Sequence, residues 1–267
     1  MTELTKHYAR SLALDHVTVT IEPGEFVAVI GRSGAGKTTL LRCLSGAVPV
    51  SDGAIRVGGS DIGPLKGVRL QAHRARVGMV FQQFNLVKRL RVVDNVLVGR
   101  LPHLGGWRRW AALAWRFDAT QREIALRCLA HVGLLEFTWQ RADTLSGGQQ
   151  QRVAIAKVLA QAPALILADE PIASLDVANA AVVMDTLRRV QTETGLTVIA
   201  TLHQVEAART YADRVLGFCR GRLVFDGPPG ELGRESLREI FGDVPEQPAL
   251  AAAAGAATLG EPQWALS

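Results

Sequence analysis

Residues 31–38 have the types and the spacing of a loop that binds phosphate. They read Gly-Arg-Ser-Gly-Ala-Gly-Lys-Thr and match the pattern G-x-x-x-x-G-K-[ST] at every fixed position. Glycines let backbone N–H groups turn inward around phosphate oxygens, and the ammonium of Lys37 neutralises phosphate charge. We therefore predict a site for the β- and γ-phosphates of a nucleotide, with the hydroxyl of Thr38 as a ligand of Mg²⁺.

The segments on both sides of this loop can position it. Residues 26–30 form a continuous apolar, partly β-branched run that is typical of a buried parallel strand, and residues 39–44 favour a helix. This context argues against a glycine-rich turn with a chance lysine. Residues 8–30 alternate in the manner of an antiparallel pair, with Val17, Val19 and Ile21 on one face, a turn at 22–25 and then the strand that leads into the loop.

Three more apolar runs predict buried strands, and each leads to residues that can act on phosphate or on water. The runs and these residues are 77–81 with Gln82, 164–168 with Asp169 and Glu170, and 197–201 with His203. Ligands of an open α/β sheet bind at the carboxyl ends of its strands, so we expect these side chains at one edge beside the phosphate loop. The alternatives are a solvated strand end for the glutamine, an N-capping pair for the two acids and an ordinary histidine.

Placing two adjacent carboxylates at the end of a buried strand costs free energy of folding unless a cation or a water pairs with them. Asp169 fits a position beside Mg²⁺, and Glu170 fits a general base for a hydrolytic water. Gln82 can reach Mg²⁺ or a water, and His203 is a candidate contact of the γ-phosphate.

A second glycine-rich segment also opens a helix. Residues 145–152 read Leu-Ser-Gly-Gly-Gln-Gln-Gln-Arg, and the helical pattern continues to residue 160. Glycines before a helix expose backbone N–H groups, so we predict another anion site, one that lacks a lysine and donates hydrogen bonds from backbone amides and Ser146. An N-capping turn would explain the serine, but not the two glycines and the run of glutamines.

Residues 85–144 differ from the rest of the chain, because strand-like runs are absent and helical periodicity appears at 122–132. Within them Trp107, Trp110 and Trp115 fall at helical spacing, interrupted by arginines. A stripe of this kind packs either in a core or against a partner protein, and tryptophan with arginine is typical of partner-binding patches.

Length and composition limit the classes to which the protein can belong. A chain of 267 residues can bury one large core, or a core and a smaller subdomain. Three cysteines, far apart and odd in number, favour a reduced protein over a disulfide framework. No apolar run approaches the roughly 18–20 residues of a membrane span, and we see no signal peptide. The formal net charge of +5 does not decide between nucleic acid, an anionic membrane and a nucleotide.

In their order along the chain, the motifs resemble those of the nucleotide-binding subunit of an ABC transporter. They are the phosphate loop at 31–38, Gln82, the signature at 145–149, Asp169 with Glu170, Asp176 and His203. The resemblance implies an α/β fold: a P-loop NTPase core with a parallel sheet and helices, an N-terminal antiparallel β layer and an inserted helical subdomain. It covers residues 4–242, with the helical subdomain at about 85–160, and we expect a disordered alanine-rich tail at 243–267.

The resemblance also implies the roles of individual residues. The catalytic residues would be Glu170, His203 and Gln82, Mg²⁺ would be held by Thr38, Gln82 and Asp169, and Asp176 would belong to the D-loop. ATP would be bound by Tyr8, whose ring would stack on adenine, and by Gly31, Arg32, Ser33, Gly34, Ala35, Gly36, Lys37, Thr38 and Thr39. The signature residues that would contact ATP across a head-to-tail dimer are Ser146, Gly147, Gly148 and Gln149.

By the same resemblance, the chain would use ATP and Mg²⁺ to drive transport from a peripheral position on the cytoplasmic face of the inner membrane. Its partners would be a second copy of the chain, integral membrane permease subunits and, indirectly, an extracytoplasmic solute-binding protein, but no nucleic acid. Several stretches, including 95–101, 140–143, 167–176 and 202–205, resemble the ATPase subunit of phosphonate importers. Importers of phosphate, amino acids or other polar solutes are the nearer alternatives, and a soluble non-transport ABC ATPase is a more distant one.

The tryptophan-rich segment at 107–115 lies between Gln82 and the signature in the sequence. We therefore hypothesise that this segment and Gln82 form the dock for a cytoplasmic helix of a membrane subunit. A self-contained helical core is the alternative.

Overall fold

The computed structural model describes residues 1–9, 11–105 and 117–242. Its strands are β1 (Thr2–Tyr8), β2 (Ser11–Val17), β3 (Phe26–Gly31), β4 (Asp52–Ala54), β5 (Arg56–Val57), β6 (Ser60–Asp61), β7 (Val77–Phe81), β8 (Leu165–Asp169), β9 (Thr197–Leu202), β10 (Arg214–Cys219) and β11 (Arg222–Gly227). Its α-helices are α1 (Lys37–Leu44), α2 (Gly67–Arg76), α3 (Val92–Val98), α4 (Ala119–His131), α5 (Gly147–Ala160), α6 (Val177–Thr194), α7 (Val205–Tyr211) and α8 (Arg234–Phe241). The tail expected at 243–267 and the tryptophans at 107, 110 and 115 lie outside the described residues.

A six-stranded sheet in the order β11-β10-β3-β9-β8-β7 forms the centre of the fold. The pair β10 and β11 is antiparallel, and the other neighbours run parallel. β3 is buried at every position, and its alternate residues face two different hydrophobic cores, one on each side of the sheet. An unbroken apolar strand requires such two-sided burial, so the predicted parallel sheet and the α/β class are confirmed.

The register of the sheet brings the carboxyl ends of its strands to one edge. Phe81 pairs with Asp169, Asp169 with Thr201, and Thr201 with Val29, which lies two residues before Gly31. The ends of β7, β8 and β9 therefore lie beside the phosphate loop, as the positions of the polar residues predicted.

The N-terminal antiparallel layer is present, but the predicted pairing within it is wrong. β1 pairs with β2 and with β4, whereas residues 26–31 lie in the central sheet between β10 and β9. The physical reason is the unbroken apolar sequence of β3, which cannot leave one face in water as an antiparallel layer does. The alternation indicated a strand before the turn, and β2 lies there, but Val19 and Ile21 follow its end, and the alternation could not identify the partner strand.

Between β7 and β8 the described residues form helices and turns and contain no strand. The helix predicted at 122–132 is α4, whose N-cap Asp118 accepts a hydrogen bond from the backbone N–H of Gln121. α5 packs on α3, α4 and α6 and also on β7, so it joins the helical segment to the sheet. Within the described ranges no helix is long and apolar enough to cross a membrane.

Candidate functional site

The phosphate loop is held from inside by its own lysine. Lys37 is buried, and its Nζ donates hydrogen bonds to the carbonyl oxygens of Gly31 at 2.7 Å and Arg32 at 3.0 Å. Burial lowers the pKa of the Lys37 ammonium, while the carboxylates of Glu170 and Asp169 act to raise it. A buried ammonium beside two acids suits a site where a multiply charged anion binds.

The loop ends where α1 begins, and Gly36 is required there. Its φ is 105°, and a Cβ at this position would lie 2.5 Å from the carbonyl oxygen of Ala13 in β2. No side chain caps the first turn of α1. The free N–H groups of that turn, together with the exposed loop residues 32–34, can therefore donate to phosphate oxygens.

Two hydroxyls hold the first carboxylate of the strand-end pair. Thr38 Oγ1 and Thr201 Oγ1 each lie 3.0 Å from Asp169 Oδ1, and both donate to it. The first contact joins the phosphate loop to the end of β8, and the second joins β8 to β9. Thr201 was not predicted from the sequence, where its only signal was a hydroxyl near the end of a mostly apolar strand.

The second carboxylate is held in an unusual backbone conformation. Glu170 has φ 50°, in the left-handed region, which costs a non-glycine residue on the order of 1–3 kcal/mol. Its N–H donates to Thr201 Oγ1 at 2.8 Å, and its Oε1 lies 2.5 Å from Nε2 of His203. The Glu170 side chain is 24% exposed and that of His203 is 41% exposed, so the pair is accessible to water and to a ligand.

Two more residues with predicted roles, Gln82 and Tyr8, are both exposed. Gln82 follows Phe81, the register partner of Asp169, and its side chain is exposed at the same edge of the sheet. Tyr8 ends β1 and is 39% exposed, and the ammonium of Lys6 lies 5.1 Å from the centre of its ring. An exposed aromatic ring with one cationic neighbour retains surface for stacking on a base.

The signature segment starts a helix and is hydrogen-bonded to itself. Ser146 caps α5: its Oγ accepts from the N–H of Gln149 at 3.3 Å, and its own N–H donates to Gln149 Oε1 at 2.9 Å. The capping turn thus accounts for Gln149 as well as for the serine, whereas the sequence had suggested a cap for the serine alone. No hydrogen bond in the described part of the chain joins residues 146–149 to the phosphate loop.

Asp176 and Asn179 form a second cap next to the signature. Asp176 accepts from the N–H of Asn179 at 2.9 Å and from its Nδ2 at 2.6 Å, and these hydrogen bonds lower the pKa of the Asp176 carboxyl. A Cβ at Gly148 would lie 2.4 Å from Oδ1 of Asn179. One of the two signature glycines is therefore needed for packing against α6, a reason that only the structure reveals.

Comparison with known proteins decides the family. The sequence profile of the ABC transporter family matches residues 14–173. The chain belongs to the ABC transporter family. The resemblance stated from its motifs is therefore confirmed.

This ABC protein has named relatives that cover most of its length. The phosphonates import ATP-binding protein PhnC of Rhodopseudomonas palustris is 50% identical over 238 residues, which are 89% of this chain and 87% of the relative. The phosphate-import ATP-binding protein PhnC of Mycolicibacterium smegmatis is 49% identical over 239 residues, which are 90% of each chain.

Solved structures of ABC proteins share its fold. A dimeric ATP-binding cassette in a post-hydrolysis state, bound to ADP and Pi, is 31% identical with a TM-score of 0.74, and the match covers 85% of this chain and 97% of the cassette. The protein cbiO1 of Clostridium perfringens, described as part of the ABC transporter complex cbiONQ, is 28% identical with a TM-score of 0.77, covering 90% and 92%. The predicted fold class is thus confirmed, whereas the roles of the site residues stay predictions.

The packing of the signature glycines predicts different costs for two adjacent alanines. Gly148→Ala should lower the free energy of unfolding by about 1–3 kcal/mol relative to Gly147→Ala, because its methyl group would overlap Asn179. The Gly147 methyl would meet the flexible end of Leu175 at 3.2 Å and the ring of Phe84 at an ordinary contact distance of 3.7 Å. Both variants gain the same helix propensity, so urea unfolding isolates the packing term. Equal midpoints for the two variants would contradict this account of Gly148.

Proposed function

We propose that the chain is the ATP-binding and ATP-hydrolysing subunit of an ABC importer for phosphonates. The observation that carries the proposal is the convergence, at one edge of the sheet, of the phosphate loop with Lys37, the Thr38–Asp169 hydrogen bond and the Glu170–His203 pair. The names of the relatives support the importer class and the solute.

The residues of the loop bind the nucleotide in this proposal. Lys37 and the N–H groups of residues 31–39 hold the β- and γ-phosphates, and Tyr8 stacks on adenine. Lys37 would exchange its carbonyl partners for phosphate oxygens, a charge-assisted hydrogen bond that is stronger than a neutral one.

The donor set beside the loop fits Mg²⁺. Thr38 and Asp169 supply hydroxyl and carboxylate oxygens that are hydrogen-bonded at 3.0 Å, and Gln82 can add an amide oxygen. Mg²⁺ favours oxygen ligands and commonly shares them with substrate phosphates. The described residues contain no group of three or more His, Cys, Asp or Glu side chains that could hold a metal by themselves, in keeping with such sharing. The ion would supply charge neutralisation to the phosphates.

Hydrolysis then depends on the second acid. Glu170 accepts the proton of the attacking water, and the hydrogen bond from its N–H to Thr201 holds its left-handed backbone at the end of β8. His203, hydrogen-bonded to Glu170 Oε1, orients that carboxylate and can donate to the γ-phosphate.

A second copy of the chain would complete each site. In the described residues the signature is not hydrogen-bonded to the loop of its own chain, and it has neither a lysine nor an acid at its tip. We therefore place Ser146, Gly147, Gly148 and Gln149 of one copy on the nucleotide held by the other, with Asp176 beside them. The dimeric form of a similar cassette supports this arrangement.

The chain would act from the cytoplasmic face of the inner membrane, where it binds permease subunits and, through them, a solute-binding protein. Gln82 lies between the site and the helical segment, a position from which a docked subunit can alter the site. The tryptophans proposed as part of this dock lie outside the described residues, so the docking idea stays a hypothesis.

Phosphate import is a second candidate, favoured by the relative from Mycolicibacterium smegmatis. To separate the two, the chain is purified with its permease subunits and the solute-binding protein in proteoliposomes. We expect methylphosphonate to stimulate ATP hydrolysis more strongly than inorganic phosphate does. The reverse order would support phosphate import, and an assembled complex that never hydrolyses ATP would contradict the whole proposal.

The proposed roles also predict a split between binding and turnover. Lys37→Ala should weaken MgATP binding by roughly tenfold to hundredfold, because it loses a charge-assisted contact of about 1.5–3 kcal/mol in the ground state. Glu170→Gln should bind MgATP almost as the unmodified chain does, since its carboxylate acts on water in the transition state. Both variants should lose turnover. Titration with a fluorescent ATP analogue checks this, and equal loss of affinity in the two variants would refute the assignment.

A further inference from the structure

A buried glutamine on α5 connects the signature helix with two strand ends of the site. Gln151 is 0% exposed. Its Nε2 donates to the carbonyl oxygen of Phe81 at 3.2 Å and to that of Pro171 at 2.8 Å. Phe81 directly precedes Gln82, and Pro171 directly follows Glu170. One amide group therefore holds the backbone beside both residues.

The chemistry of the acceptors fixes the orientation of this amide. Both acceptors are neutral carbonyl oxygens, so only the NH₂ group of Gln151 can face them. Its Oε1 has no hydrogen-bond partner in the described part of the chain. An unpaired buried acceptor opposes folding, so stability alone does not explain why a buried glutamine occupies this position.

A second contact from the same helix fixes the other end of the segment after β7. Lys157 Nζ donates to the carbonyl oxygen of Asn85 at 2.9 Å. Residues 81 and 85 are thus both bonded to α5, and the residues between them, including Gln82, must follow when this helix moves. Of these two side chains, Gln151 is the one that also donates to the chain beside Glu170.

We propose that Gln151 is a positioning residue that couples the start of α5 to Gln82 and Glu170. This inference rests on the proposed function, in which the start of α5 meets the nucleotide of the second copy. Gln151 lies five residues beyond Ser146, which is about 7–8 Å along a rigid helix. A shift of the signature on the nucleotide would therefore move Gln151 and, through it, the backbone beside the general base Glu170.

The same helix offers a matched control at its other end. Gln161 also donates from its Nε2 to backbone carbonyls, those of Arg74, Ala75 and Val77, but at the end of β7 remote from the site. Gln151→Met and Gln161→Met thus each remove hydrogen bonds from a glutamine NH₂ group to backbone carbonyls, which for Gln161 belong to the end of α2 and the start of β7. Comparing them separates positioning of the site from general stability.

The kinetic test measures MgATP hydrolysis by both variants. We expect Gln151→Met to lower kcat by about tenfold or more with KM changed by less than about threefold, because it loses an arrangement needed in the transition state. Gln161→Met should keep kcat within about twofold of the unmodified chain. Equal losses of kcat in both, or an unchanged kcat in Gln151→Met, would overturn the proposal.

Gln151→Glu supplies a pH-dependent readout. A buried carboxylate facing two carbonyl oxygens favours its neutral form, which can donate one hydrogen bond. The kcat of this variant, divided by that of the unmodified chain, should therefore rise as the pH falls. A ratio independent of pH would contradict the proposed hydrogen bonds.

Hydrogen exchange tests the link without turnover. In Gln151→Met the amides of residues 82–85, of Glu170 and of residues 172–175 should exchange faster together, while in Gln161→Met the change should be confined to residues 74–78. The exchange measurement separates the role of Gln151 from the proposed ATPase function. If the assembled chain never hydrolyses ATP, the proposed function fails, whereas unchanged exchange in both segments of Gln151→Met refutes the role of Gln151 by itself.

Discussion

The hydroxyl of Thr201 is the contact on which the two adjacent carboxylates depend. It is fully buried, it donates to Asp169, and it accepts the N–H of Glu170. Asp169 and Thr201 are register partners of β8 and β9. A slip of one residue would turn this hydroxyl to the opposite face of the sheet, so the geometry of the acids follows from strand register.

The other polar residues of the site are arranged around Asp169 and Glu170. Thr38 donates to the Asp169 oxygen that Thr201 also contacts, which ties the phosphate loop to the sheet. The backbone of Glu170 is in the left-handed conformation, its N–H is bonded to Thr201 and its carboxylate to His203. The strain of that backbone is tolerated because neighbouring strands determine the position of both its partners. The two acids therefore differ in environment: Asp169 faces hydroxyls and Glu170 faces a histidine.

Local patterns in the sequence predicted the buried strands β3, β7, β8 and β9, the phosphate loop and the polar residues at the strand ends, but not β1 at the N-terminus. Each of these depends on residue order within one element. The pairing of β3 was not predicted correctly, because alternation indicates a strand but not its partner. Thr201, Asn179 and Gln151 could not be assigned roles from sequence, since each acts through contacts between elements far apart in the chain. Gln149 was assigned to an anion site, and only the geometry shows it in the cap of α5.

The central claim is that each hydrolytic site combines the phosphate loop of one copy with the signature of another. Mixing two inactive variants, Lys37→Ala and Ser146→Arg, tests it most directly. In the mixed dimer one site has an intact loop and an intact signature, so ATP hydrolysis should return to about a quarter of the unmodified rate if dimers form at random. A mixture as inactive as either variant alone, or full activity of Ser146→Arg by itself, would contradict the claim.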